Sequence, residues 1–355
     1  MKLNAAVYLI MTGLAFAHAS ASAKPGIPED PQAPIIALNP QDMQAPSATP
    51  ATLDRIEALM MQAKFIDASP ETVQTALQQL QPYLTGAASA KALSLLARVQ
   101  QHQHQFADAE KTLQKALKQS PDDSSARLLL ASVMTIQGKF DAAKQQCLML
   151  IDQAPMLITS ACSLNASFHQ LKHPDQQTAV YTQLASLSER FAVADETSAA
   201  WVMEMLAAMA LDLNLPQAAI QHLALPVSPD RTISYLTIWA KAKLAAGEPD
   251  RVLSTLGNLV QSSALPDDAL LLELARAEKR KHARSTWHQQ VEARVQLREQ
   301  RQDISHAAFL AYYYLEISPV PGKALYWAKV NWQTNRLQTD QQLLSLAEQA
   351  MAVQS

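Results

Sequence analysis

Glycine and cysteine are scarce in this chain, seven and two among 355 residues. So few glycines cannot supply a cradle of backbone amides, and Gly-x-Ser-x-Gly, Gly-x-Gly-x-x-Gly and Gly-x-x-x-x-Gly-Lys are all absent. That argues against a nucleophile elbow, a dinucleotide fold and a nucleotide-phosphate loop. Neither His-Glu-x-x-His nor Cys-x-x-Cys occurs, so a zinc protease and a dithiol catalyst are not indicated. Acids are scattered, and no pair can be named as catalytic. No enzyme and no cofactor are expected. An excess of one charge is missing as well: the formal charge is −3, which gives no electrostatic case for nucleic acid. No alternating strand pattern is found, and the expected class is all-α.

What is present is a repeat. Leu96, Ala97, Phe106, Ala109, Leu113, Ala116 and Pro121 recur as Leu130, Ala131, Phe140, Ala143, Cys147, Leu150 and Pro155, each 34 positions later. Alanines let antiparallel helices approach, and the prolines stop the second helix of each copy. Gly138 falls at the turn of the second copy, where His104 stands in the first. The period and its large-small pairs resemble the tetratricopeptide repeat, most regular over 90–123 and 124–157. The resemblance implies a tetratricopeptide-like right-handed α-solenoid of antiparallel helix pairs, whose core runs between neighbours.

Met1 to Ala23 reads as a cleaved secretory signal, with Lys2, an apolar run from Ala5 to Phe16 and a small-residue site at Ala21-Ser22-Ala23. Cleavage after Ala23 would make the product periplasmic or otherwise exported, with a formal charge of −4 once Lys2 is lost. The alternative, an uncleaved anchor, suits so short a run less well. The first cysteine is Cys147, far from any lipidation site. Residues 24–50 hold seven of the 19 prolines, the composition of a disordered leader or tether. Residues 51–355 form a single solenoid of six to eight helix pairs, with starts signalled at Ser69-Pro70-Glu71, Asp122-Asp123 and Asp195-Glu196.

Beyond Pro155 the repeats degrade. Leu206-Ala207, Trp239-Ala240 and Leu274-Ala275 keep the large-small pair while spacing drifts. Tyr235-Leu236, Ala242 to Ala246, Arg251 to Leu253, Asp268 to Glu278 and Ala328 to Trp332 resemble a family of exported bacterial tetratricopeptide proteins of unassigned activity. Members of that family accompany membrane proteins of the hydrogenase and urease accessory type, which implies an envelope membrane protein as partner. The family also carries a cysteine pair in a context like Thr159-Ser160-Ala161-Cys162. The repeat register aims Cys162 at the concave face and Cys147 at the adjacent helix. An oxidising compartment without competing thiols favours a disulfide between them, of structural role.

Candidate contact residues follow from the same register. The first helix of each pair would line a concave groove through Lys91, Ser94, Arg98, Gln101 and His102, then Ser125, Leu128, Ser132, Thr135 and Ile136. Such a groove suits an extended peptide or a partner helix. Tyr312, Tyr313 and Tyr314 cannot all face one core, so they are aromatic surface candidates for a peptide or glycan, set against plain packing of the terminal repeats. Arg276, Lys279, Arg280, Lys281 and Arg284 form the one basic cluster, read either as an anion site or as charge at a helix end. His102 with His104, and His169 with His173 on one helix face, fall short of a metal site without further ligands. The expected function is a non-catalytic periplasmic scaffold for a protein partner, with a ligand- or metal-handling protein supporting a transporter as the alternative.

Overall fold

The computed structural model describes residues 52–69, 71–191, 195–261, 263, 266–282 and 286–353. The chain divides into two units, 1–43 and 44–355, and every described residue belongs to the second. The expected signal, its cleavage site, the proline-rich leader, Pro70 and Arg284 lie outside the described residues.

Helices follow one another in pairs. They are α1 (Leu53–Gln62) and α2 (Thr72–Leu84), α3 (Ala90–His102) and α4 (Phe106–Gln119), α5 (Ser124–Ile136) and α6 (Phe140–Leu148). Next come α7 (Met156–Gln170) and α8 (Pro174–Arg190), then α9 (Glu196–Asp212) and α10 (Pro216–His222). The sixth pair joins α11 (Ile233–Ala245) to a rod made of α12 (Pro249–Arg251), a π segment at Val252–Leu256 and α13 (Gly257–Gln261). The seventh is α14 (Asp268–Arg280) with α15 (Thr286–Gln300). In the last pair α16 (Ala307–Tyr312) runs on through a π segment at Tyr313–Ile317 and meets α17 (Pro321–Thr334), after which α18 (Gln338–Ala352) closes the stack.

Local chemistry explains these boundaries. The side chains of Ser89, Asp123, Asp195, Thr232 and Asp267 each accept a backbone N–H at the start of a helix, satisfying donors that the helix leaves free. At the other end, His104, Gly138, Asn214, Gly247 and His282 all have positive φ, two residues past a first helix. The left-handed turn is therefore the most regular mark of the repeat. Against expectation α6 stops at Leu148, well before Pro155, which instead caps α7. His169 and His173 do not share a helix face: α7 ends at Gln170, and exposed His173 is the N-cap of α8.

Packing follows the repeat grammar. Ala97, Ala109, Ala116, Ala131 and Ala143 are buried where facing helices cross. Each first helix also packs on the next, from α1–α3 through α5, α7, α9, α11, α14 and α16 to α18. A stack whose first helices touch in this way curves toward them, so they form the inner, concave layer. Cys147 and Cys162 are bonded, with Cα atoms 5.6 Å apart, joining α6 to α7. Both are buried beside Ala131 and Leu150, so Cys162 faces the helix interface and not the groove.

Successive turns of the superhelix also meet. The Ile233 N–H donates to Lys64 O at 2.8 Å, and Ile66 enters the C-terminal core. The His104 and His306 rings lie 5.7 Å apart. The Arg336 N–H donates to Ile136 O at 2.7 Å, and Lys172 donates to Gln341 Oε1 at 2.9 Å. The turns after α1, α3, α5 and α7 thus form a seam with segments five or six pairs further along.

Candidate functional site

In the N-terminal half the expected groove positions are largely engaged within the stack. Lys91 pairs with Asp54 and with Glu57 at 3.2 Å, Ser94 donates to Asp123 Oδ2 at 3.4 Å, and Arg98 donates to Ser125 Oγ at 2.9 Å. These side chains stitch one first helix to the next. Gln101 is half-buried, while His102 and Ser132 are exposed. Leu128 is half-buried and, with Trp201 of α9, packs on the cluster around the disulfide. Thr135 is a correction to the groove expectation: it is 3 % exposed, and its hydroxyl donates to Ala131 O at 2.8 Å. That bond to its own helix lets the threonine pack as a small buried residue.

The C-terminal half is different. A cavity of about 460 Å³ opens between α11, α14, α16 with its π segment, and the start of α18, all elements of the concave layer. Its walls carry Lys241, Glu273, Arg276, Lys279, Arg280, Tyr312 and Glu316. Arg276 is the keystone. Its Nη1 donates to Glu273 Oε1 at 2.5 Å, while Nε and Nη2 donate to the two oxygens of Glu316 at 2.7 and 2.9 Å. Its guanidinium also lies 4.6 Å from the centre of the Tyr312 ring, a cation–π contact. Burial works to lower the Arg276 pKa, but the two carboxylates outweigh it and hold the group above its ordinary value.

Both wall acids are thereby spent on one arginine. Lys279 donates to the carbonyls of Glu316 and Ile317, and Arg280 donates to Leu244 O. Among the described residues, Lys241, Lys279 and Arg280 have no carboxylate at ion-pair distance, so the cavity keeps an excess of positive charge. Beyond Lys241 lie Asp212 and Asp340. Burial lifts Asp212 to about 7, with Asp340 adding to the rise and Lys241 opposing it. Burial also raises Asp340, which accepts a hydrogen bond from Asn331 Nδ2 at 2.7 Å.

The structure brings together two groups that the sequence presents separately, the basic cluster and the tyrosines, though each only in part. Lys281 leaves the site for Asp250 at 3.0 Å. Tyr313 and Tyr314 are corrected from surface candidates to core residues, 3 % and 7 % exposed. The Tyr314 hydroxyl donates to Glu299 Oε2 at 2.7 Å. The reason is the π segment at Tyr313–Ile317, whose wider turn rotates both rings inward and leaves Tyr312 and Glu316 on the cavity wall. Lys241, Glu273 and Glu316 were not legible as site residues. The i,i+3 spacing of Glu273 and Arg276 was the available signal. Among the described residues no group of three His, Cys, Asp or Glu side chains converges, and no helix is long and apolar enough to cross a membrane.

Comparison with known proteins gives little beyond the repeat. No curated protein matches the chain. The solved tetratricopeptide domain of P58(IPK) aligns with 86 % of this chain and 99 % of its own, at 14 % identity and a TM-score of 0.29, too low to bear on shape or ligand. Residues 100–156 match the tetratricopeptide repeat family model, so this stretch carries tetratricopeptide repeats, set within a longer stack of helix pairs.

Proposed function

We propose that the chain is a non-catalytic, periplasmic interaction scaffold that holds an acidic segment of a partner protein, an envelope membrane protein, in the concave cavity of α11, α14, α16 and α18. The observation that carries the reading is the positive charge of Lys279 and Arg280, which with Lys241 form no ion pair among the described residues, around a preformed cavity on the concave layer. Arg276 is locked by Glu273, Glu316 and Tyr312, so it sets the shape of the wall, while the other cations keep donors available for an incoming carboxylate. The export reading draws support from the secretory pattern of residues 1–23 and from the buried disulfide. No observation favours the metal-handling alternative.

The test is crosslinking and affinity capture of the mature chain from its native envelope, beside a Lys241→Glu, Arg280→Glu variant and a Lys91→Glu variant. A partner held by the first variant's charges is lost in that variant, kept by Lys91→Glu, and released by salt. A partner that survives charge reversal in the cavity, or stoichiometric metal in place of a partner, sinks the proposal.

A further inference from the structure

A second cavity lies at the seam between turns, apart from the first. It has a volume of about 530 Å³ and is bounded by His169, Leu171, Lys172 and Gln177 on one side and by a face of α18 on the other. That face presents Gln338, Gln341, Gln342, Ser345, Leu346 and Gln349, spaced three or four apart so that they stack along one side of the helix.

The chemistry of this cleft is that of the carboxamide. No acid borders it, and Lys172, its one cation, already donates to Gln341. Gln177 and Gln338 hydrogen-bond each other across the seam and fix the distance between the walls. Gln342, Ser345 and Gln349 are exposed and make no hydrogen bond to another described side chain. On the opposite wall His169 Nδ1 is closed off from solvent and has no partner. Burial pulls that imidazole down to about 4, so the ring stays neutral at pH 7 and the cleft gains no charge from it.

We propose that this cleft binds a neutral oligosaccharide. A carboxamide offers a donor and an acceptor side by side, the pair that adjacent sugar hydroxyls require, and Leu171 and Leu346 supply apolar contact for the C–H faces of a ring. The competing occupant is an uncharged extended peptide. Its like groups return to one side every second residue, roughly 6.6 Å, whereas the two carboxamides of α18 left unengaged, Gln342 and Gln349, stand seven residues or about 10.5 Å apart along the helix. Over that span a peptide drifts out of phase. Hydroxyls around the rim of a sugar ring are free of that register.

Titration calorimetry of the mature chain with maltohexaose, cellohexaose and chitohexaose tests the assignment, with an uncharged Gly-Ser-Asn hexapeptide as the rival probe. At least one sugar binds, Gln342→Ala and Gln349→Ala each weaken it about tenfold, and Ser345→Trp fills the cleft and abolishes it. All three positions are exposed, so thermal melts of the variants match the parent. Lys241→Glu leaves sugar binding unchanged, which separates this site from the concave cavity. The proposal is overturned if no sugar gives heat at millimolar concentration, if the cleft variants bind as the parent does, or if the peptide is preferred.

Discussion

Gly138→Ala and Gly247→Ala form a matched pair that isolates the seam between superhelical turns. Both glycines sit two residues past a first helix, with φ of 75° and 79°. An added Cβ meets nothing within 4 Å at Gly247, but at Gly138 it would stand 2.7 Å from Arg336 Cβ and 3.1 Å from its Cγ. Gly247→Ala therefore registers the left-handed backbone alone, a cost of about 1–2 kcal/mol. Gly138→Ala adds an overpacking cost of about 1–3 kcal/mol. Arg336 cannot simply swing aside: the clash involves its Cβ, its N–H is tied to Ile136 O, and its guanidinium lies 4.4 Å from the centre of the Trp332 ring. Stacked repeats need not unfold in one step, so urea melts should be read beside hydrogen exchange at the Arg336 amide. Gly138→Ala speeds that exchange and Gly247→Ala leaves it alone. Adding Arg336→Gly to Gly138→Ala relieves the clash and recovers that part of the loss, visible as coupling in a double-mutant cycle. Equal losses from the two alanines, with no coupling to Arg336, would show that the turns do not pack as described.

Other expectations rest on single groups. Replacing Cys147 and Cys162 together by alanine opens a 15-residue link and lowers stability by about 3 kcal/mol, read as a lower urea midpoint; an unchanged midpoint contradicts the bridge. Asp212, with its folded pKa raised to about 7 from an ordinary 3.8, binds its proton more tightly in the folded chain. Its contribution is complete below pH 4 and is lost as pH rises toward and through 7, a matter of a few kcal/mol. Asp212→Asn should flatten that decline in urea melts taken from pH 4 to 8, and an unaltered profile refutes the assignment. Arg276→Met strands Glu273, which is 1 % exposed, and costs about 3–5 kcal/mol. Adding Glu273→Gln recovers part of the loss, and failure to recover any would separate the two residues.

The sequence exposes those features that every repeat must solve alike. Buried Ala97 and Ala131 are legible because each sits where two helices cross, and the same crossing recurs 34 residues on. His104 and Gly138 mark one left-handed turn despite their different side chains. The seam has no such periodic mark, because Ile136 and Arg336 meet once, between segments 200 residues apart. The histidine spacing at 169 and 173 misleads for a related reason: i,i+4 places two side chains together only inside one helix, and Leu171 is already extended.

The regular repeats and the concave cavity occupy different parts of this molecule for a physical reason. A repeat that keeps its large-small pairs closes the gap between neighbouring first helices, and its polar groove residues are then used up between repeats, as Arg98 is by Ser125. The concave cavity sits at a local departure from that pattern. A π segment supplies it, inserting an extra residue into a turn of helix. The segment at Tyr313–Ile317 sends Tyr313 and Tyr314 into the core and holds Tyr312 and Glu316 around Arg276. The degraded C-terminal spacing is therefore the trace of the site itself, and restoring a regular α-helical turn there, by deleting one residue of the π segment, should close the cavity while leaving the 100–156 repeats intact.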